Sequence, residues 1–91
     1  VLVRSPFAPG ALVAGVAGAT VTLTWANPGD TTDFEVEYGF ASGQRAGAIR
    51  VGAATAVAIP NVPPGTYYVR VTAHNEVGPS PASNEVRVVV Q

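Results

Sequence analysis

The chain has 91 residues, a length that fits one domain, and it is 47% hydrophobic and only 12% charged, too apolar for a disordered segment. Five basic and six acidic residues leave a net charge of -1, which offers a polyanion no attracting field and excludes nucleic acid as an expected partner. There is no cysteine, so neither a disulfide framework nor a thiolate metal site is available.

A chain this short buries about two-thirds of its unfolded surface, so its core must be efficient. The longest apolar run, residues 11–19, is too short to cross a bilayer and carries Gly15 and Gly18, so no membrane partner is expected. The sequence starts at Val1, contains no methionine, and shows no charged stretch leading into an apolar one. The expectation is a fragment or processed chain whose signal peptide is absent or removed.

Residues 1–10 read as an extended lead-in or linker. Pro6 and Pro9 cannot donate to a ladder, which puts this segment at a sheet edge or on the way into one. Leu12, Ala14 and Val16 alternate as a first strand, weakened by the nearby glycines. Residues 20–25, Thr-Val-Thr-Leu-Thr-Trp, form a second, with Val21, Leu23 and Trp25 on one face and threonines on the other. Asn27-Pro28-Gly29-Asp30 carries turn chemistry. In residues 33–39 Phe34, Val36 and Tyr38 point inward while Asp33, Glu35 and Glu37 point outward. A glycine-containing connection at 41–47 leads to a short strand at 49–51 and another at 55–59, where Val57 and Ile59 face inward. Tyr67, Val69, Val71 and Ala73 then make an inner face and Tyr68, Arg70 and Thr72 an outer one. Residues 75–81 turn the chain, and 85–90 form the last strand, with Val86, Val88 and Val90 on one face.

Strand signals this numerous and closely spaced, with no helical period, predict an all-β sandwich or barrel. Their order resembles the fibronectin type III family across essentially the whole chain. The residues that carry the resemblance are Pro6 and Pro9, the Val-x-Leu-x-Trp ending at Trp25, the Phe-x-Val-x-Tyr from Phe34 to Tyr38, the Pro64-Gly65-Thr66 corner before Val69-x-Val71-x-Ala73-x-Asn75, and Gly78-Pro79-Ser80. The resemblance implies an immunoglobulin-like sandwich of seven antiparallel strands, occupying residues 1–91 as a single domain. The family commonly places one more residue between the Pro-Gly-Thr turn and its corner tyrosine. Here Tyr67 and Tyr68 follow directly, and counting back by twos from Val71 makes Tyr67 the inner, corner residue. Its hydroxyl is expected on backbone within residues 61–64.

Each chemical candidate has a structural counterpart. Trp25 has a sugar-stacking reading, but it shares a face with Leu23 and Val21 and reads as the centre of the core, packed against Val71, Tyr38 or Val57. Tyr68 stands on the outer face, either as a stacking platform or as a cross-strand cover for its neighbours. Glu35 and Glu37 form a carboxylate pair, but a glycosidase needs two carboxyls opposed across a cleft. Two on one strand face read instead as a solvated surface, paired with Arg50 or Arg70. His74, the sole histidine, has no sequence neighbour to complete a metal site or a triad. There is no Arg-Gly-Asp tripeptide, and none of Asn27, Asn61, Asn75 or Asn84 begins a glycosylation acceptor.

The expected structural core is therefore Trp25, Tyr67, Tyr38, Leu23 and Val71, with no catalytic, metal or cofactor residues. The candidate ligand contacts are Tyr68, Asp30 and His74, with the loops at 27–32 and 74–80. All five basic residues are arginine, and alanine and valine dominate the apolar set, a bias associated with GC-rich bacterial genomes. The resemblance then implies a monomeric spacer in a secreted bacterial protein, plausibly a polysaccharide-degrading enzyme, with its neighbouring domains as partners. The alternative is a weak carbohydrate- or protein-binding module.

Overall fold

The computed structural model of the chain describes residues 6–29 and 31–91. These contain seven strands and no helix: β1 (Gly10–Ala17), β2 (Thr20–Ala26), β3 (Asp33–Gly39), β4 (Gly47–Gly52), β5 (Ala56–Ile59), β6 (Gly65–His74) and β7 (Val86–Val90). They form two antiparallel sheets, one ordered β1-β2-β5 and the other β4-β3-β6-β7, packed face to face as a sandwich.

The core follows from alternation. Every second residue of β2 and β3 is apolar and turned toward the opposite sheet, and Leu23, Phe34, Val36 and Val71 are shut off from solvent. Val21, Trp25, Val69, Ala73, Val88 and Val90 extend the same layer, and Leu12 closes it from β1. Trp25 is 6% exposed, but its ring partner is Phe34, edge to face with centroids 5.5 Å apart. The expected aromatic partner, Tyr38, is excluded by position. Trp25 lies one residue before the end of β2 and Phe34 one residue after the start of β3, at the same pole, whereas Tyr38 lies near the far end of β3.

Three expectations about the strands change. The alternation of β1 breaks at Val16, which is 43% exposed, because β1 is an edge strand with a neighbour on one side only. Tyr38 and Tyr67 face inward but are half-buried, since the opposite sheet does not reach over them. Strands β4 and β6 both start earlier than side-chain alternation suggests, at Gly47 and Gly65, where there is no side chain to reveal the period.

The two lateral seams between the sheets are built differently. At one, β1 lies against β7, and Asn84 stitches them. Its Oδ1 accepts from the Leu12 N–H (2.9 Å) and its Nδ2 donates to the Leu12 carbonyl (3.0 Å), imitating a ladder pair with one side chain. At the other seam, β4 and β5 are the free edges of their sheets and share no ladder.

Just before β7, side chains again replace backbone. The β6–β7 ladder ends at Val69↔Val86. Beyond it, the Val71 N–H donates to Ser83 Oγ (2.9 Å) and the Ala73 N–H to Ser80 Oγ (2.9 Å). The Ser83 and Ser80 N–H groups donate back to the Val71 and Ala73 carbonyls at 2.8 and 2.7 Å. Both serines are buried, so their hydroxyls are the acceptors available to these amides. Ser83→Ala strands the buried Val71 N–H and should cost about 1–3 kcal/mol, measured by denaturant unfolding. A change no larger than that of a substitution at exposed Ala53 would refute the capping role.

Candidate functional site

Three regions bear on function: the outer face of the four-stranded sheet, the two loops beside His74, and the open seam. On the outer face, register sets Glu35 between Arg50 and Thr72, and Glu37 between Ala48 and Arg70. Arg50 Nε donates to Glu35 (3.2 Å) and its Nη1 to Asp33 (2.5 Å), and Arg70 Nε donates to Glu37 (3.0 Å). Arg45 adds a looser contact to Glu35 at 3.6 Å. Hydrogen bonding to Asp33, then the charges of Asp33 and Glu35, hold the Arg50 guanidinium above its ordinary pKa. The carboxylates are less solvated than expected, at 16% and 13% exposure, because side chains from β4 and β6 flank them. Both project from one strand, so they do not oppose each other across a cleft as glycoside hydrolysis requires.

Of the candidate ligand contacts, the two that are described, Tyr68 and His74, do not come together. Asp30 lies outside the described residues. The His74 ring turns onto the carboxylate ladder, with Nε2 3.2 Å from Thr72 Oγ1 and 3.9 Å from Glu35. Tyr68 faces outward as parity demands, but it is half-buried, between Gly39 on β3 and Arg87 on β7. On the same face of β6, Tyr68 and His74 stand six residues, hence about 20 Å, apart. Beside Tyr68 the β3–β4 hairpin folds back over the sheet. The Gln44 carbonyl occupies the place a Cβ on Gly39 would take, so only glycine fits there. Glu85 pins this hairpin, accepting from Ser42 Oγ (2.6 Å) and from the Gly43 N–H (2.9 Å). Tyr68 therefore lacks the open surround of a stacking platform.

The loops are committed to their own structure. Asn27 Oδ1 accepts from the Gly29 N–H (2.8 Å), and Asn75 Oδ1 accepts from the Val77 N–H (2.9 Å). The Thr32 N–H and Oγ1 both donate to the His74 carbonyl, joining the first loop to the root of the second. Among the described residues no three His, Asp or Glu side chains converge as a metal site.

The open seam between β4 and β5 leads into a cavity of about 350 Å³. Leu23, Val36 and Val69 form its floor, and Tyr38, Phe40 and Tyr67 stand around it. Tyr67 Oη donates to the Pro63 carbonyl (2.7 Å), within the segment expected for a corner tyrosine, and Phe40 tilts against the same ring with centroids 5.8 Å apart. Tyr38 lies over Gly47, where an added Cβ would come within 2.5 Å of Tyr38 Oη. Sequence reasoning missed this region. The available signal was Phe40, which continues the inward parity of Phe34, Val36 and Tyr38 one step past the end of β3 and which the structure leaves 67% exposed.

A family model for the fibronectin type III domain matches residues 7–89. No curated protein matches the chain in sequence. Among solved structures it superposes on one holding the titin kinase and its flanking domains, with TM-score 0.79 and 24% identity, covering 98% of this chain and 18% of that one. It superposes on the FN1–FN3 domains of chicken CNTN1 with TM-score 0.79 and 20% identity, covering 96% and 32% respectively. A myokine structure aligns with TM-score 0.77 and 21% identity, over 96% of this chain and all 100% of that one. The chain thus spans well under half the length of the first two, and at these identities the likeness is one of fold.

Two outcomes test the site's polar anchors. Tyr67→Phe leaves the Pro63 carbonyl at a half-exposed position where water can replace the hydroxyl, so the loss in unfolding free energy should be only about 0.5–1.5 kcal/mol; a loss beyond 3 kcal/mol would mean that the corner is sealed. Glu85 has its pKa lowered first by the Ser42 hydrogen bond and then by the Gly43 amide. Its ionised form is favoured in the folded state, so its stabilisation is present above the ordinary carboxylate range and lost as pH falls through the depressed value. In melting curves against pH, Glu85→Gln should lie below the parent at neutral pH and merge with it in acid. A gap that persists unchanged in acid would rule out the ionised clasp.

Proposed function

The chain belongs to the fibronectin type III family, and from that membership we propose that it is a non-catalytic module that links and spaces neighbouring domains of a larger chain. One observation carries this reading: the side chains named for chemistry are already committed to each other. Arg50 holds Glu35, Arg70 holds Glu37, the His74 ring meets Thr72 and Glu35, and the asparagines of the two loops cap their own turns. A general acid or base needs a reactive group held in reach of a substrate, and these groups face their strand neighbours instead.

A secreted bacterial parent, of the polysaccharide-degrading kind, is the context we propose for the module. Composition supports only the bacterial part, through arginine as the sole strong cation and an alanine- and valine-rich apolar set, while the secreted, polysaccharide-degrading part rests on the family resemblance alone. The module is proposed to act as a monomer. Pro79 and Pro81 remove donors along the segment beside β6, which discourages strand addition from another chain.

Calorimetric titration with a panel of polysaccharides, alongside a hydrolysis assay on the same panel, tests the reading. The expected result is no hydrolysis and no affinity tighter than about 1 mM, because a lone half-buried aromatic contributes only about 1 kcal/mol. Tyr68→Ala should leave the traces unchanged. Saturable binding that Tyr68→Ala abolishes would replace the spacer by a carbohydrate-binding module.

A further inference from the structure

We propose that the cavity at the β4–β5 seam is a binding site for a small, uncharged aromatic molecule carrying one hydroxyl group. The inference goes beyond the spacer role and does not depend on it. Its first ground is size and depth. About 350 Å³ lies within the range of small-molecule sites, and the floor is made by Leu23 and Val36, each 1% exposed, so the space reaches the core itself. The cavity opens to solvent at its mouth, so an apolar guest that enters it takes apolar surface out of water.

The second ground is chemical. Among the described residues no charged side chain lines the cavity, so an ionised guest would lose its hydration without a partner. Tyr38, Phe40 and Tyr67 present aromatic surface suited to a planar ring. Among the described residues the Tyr67 hydroxyl is spent on Pro63, while no hydrogen bond engages that of Tyr38. Beside the exposed Asn61 amide, which also lines the cavity, Tyr38 Oη is the polar contact that the aromatic wall offers a guest hydroxyl, and it can meet one as donor or acceptor.

The third ground is exposure at the mouth. Phe40 and Ile49 are 67% and 42% exposed, two large apolar side chains on either side of the hairpin that opens the seam. A guest seated between the sheets covers both. The opposite seam needs no guest, because Asn84 already closes it.

The test is a titration of the isotope-labelled chain with p-cresol, toluene and benzoate, followed by amide chemical shifts. For p-cresol, saturable shifts should be confined to Val36, Ile49, Val62 and Tyr67. Toluene should bind about fivefold more weakly, for want of one hydrogen bond, and benzoate weaker still. Tyr38→Phe should bring p-cresol down to the level of toluene and leave toluene unchanged. Ile49→Trp, at a position 42% exposed, should block all three probes while the unperturbed remainder of the amide spectrum reports an intact fold. Absence of saturation up to the solubility limit of p-cresol would overturn the proposal. So would shifts that persist in Ile49→Trp or map to the outer face, or benzoate binding as tightly as p-cresol.

Discussion

The seating of β6 between β3 and β7 is the constraint on which the rest of the molecule depends. Val36 pairs with Val71, and Val69 with Val86, so Val69, Val71 and Ala73 enter the core while Tyr68, Arg70 and Thr72 leave it. A slip of one residue would exchange the two sets, placing Arg70 among Leu23, Phe34 and Val36 and turning Val71 to solvent. The carboxylate ladder inherits the same register. Glu37 meets Arg70, and Glu35 meets Thr72 and the His74 ring, because the apolar residues between them cannot sit anywhere else.

From that centre the sandwich is finished unequally at its two sides. The β1–β7 side is short of backbone pairing, and Asn84, Ser80 and Ser83 supply it with side-chain oxygens. The β4–β5 side receives no such substitute. There the inward tyrosines lie under a gap between sheets, where Phe40 reaches Tyr67 while Glu85 holds the tip of the same hairpin at Ser42 and Gly43. The cavity is thus a result of topology: β4 and β5 are both terminal strands of their sheets, and β5 spans only Ala56–Ile59.

This division also marks what could be read from the sequence. Alternation in residues 20–25 and 33–38 sufficed for β2, β3 and the identity of the core, and parity alone distinguished Tyr67 from Tyr68. Parity names the face a residue occupies and is silent on whether anything lies over it, so Tyr38 and Tyr67 were expected to be more deeply buried than they are. Contacts far apart in sequence left no local trace. Asn84 meets Leu12 and Glu85 meets Ser42 through one side chain each, and alternation, which names a face, does not name a partner 43 or 72 residues away. Phe40 is a different case: it continues the parity of Phe34, Val36 and Tyr38, but Gly39 and the loss of backbone pairing end the strand before it.

The serine-capped stretch beside β6 has a dynamic consequence. On their β3 side, the groups of β6 are held in a continuous ladder, but the amides of Val71 and Ala73 point the other way, to Ser83 and Ser80. Residues 79–84 can therefore lift away and release these two amides together without parting β3 from β6. In hydrogen exchange this makes Val71 and Ala73 a separately opening unit embedded in a slowly exchanging strand, so the middle of the sheet has a local weak point although its side chains are the most deeply buried in the molecule.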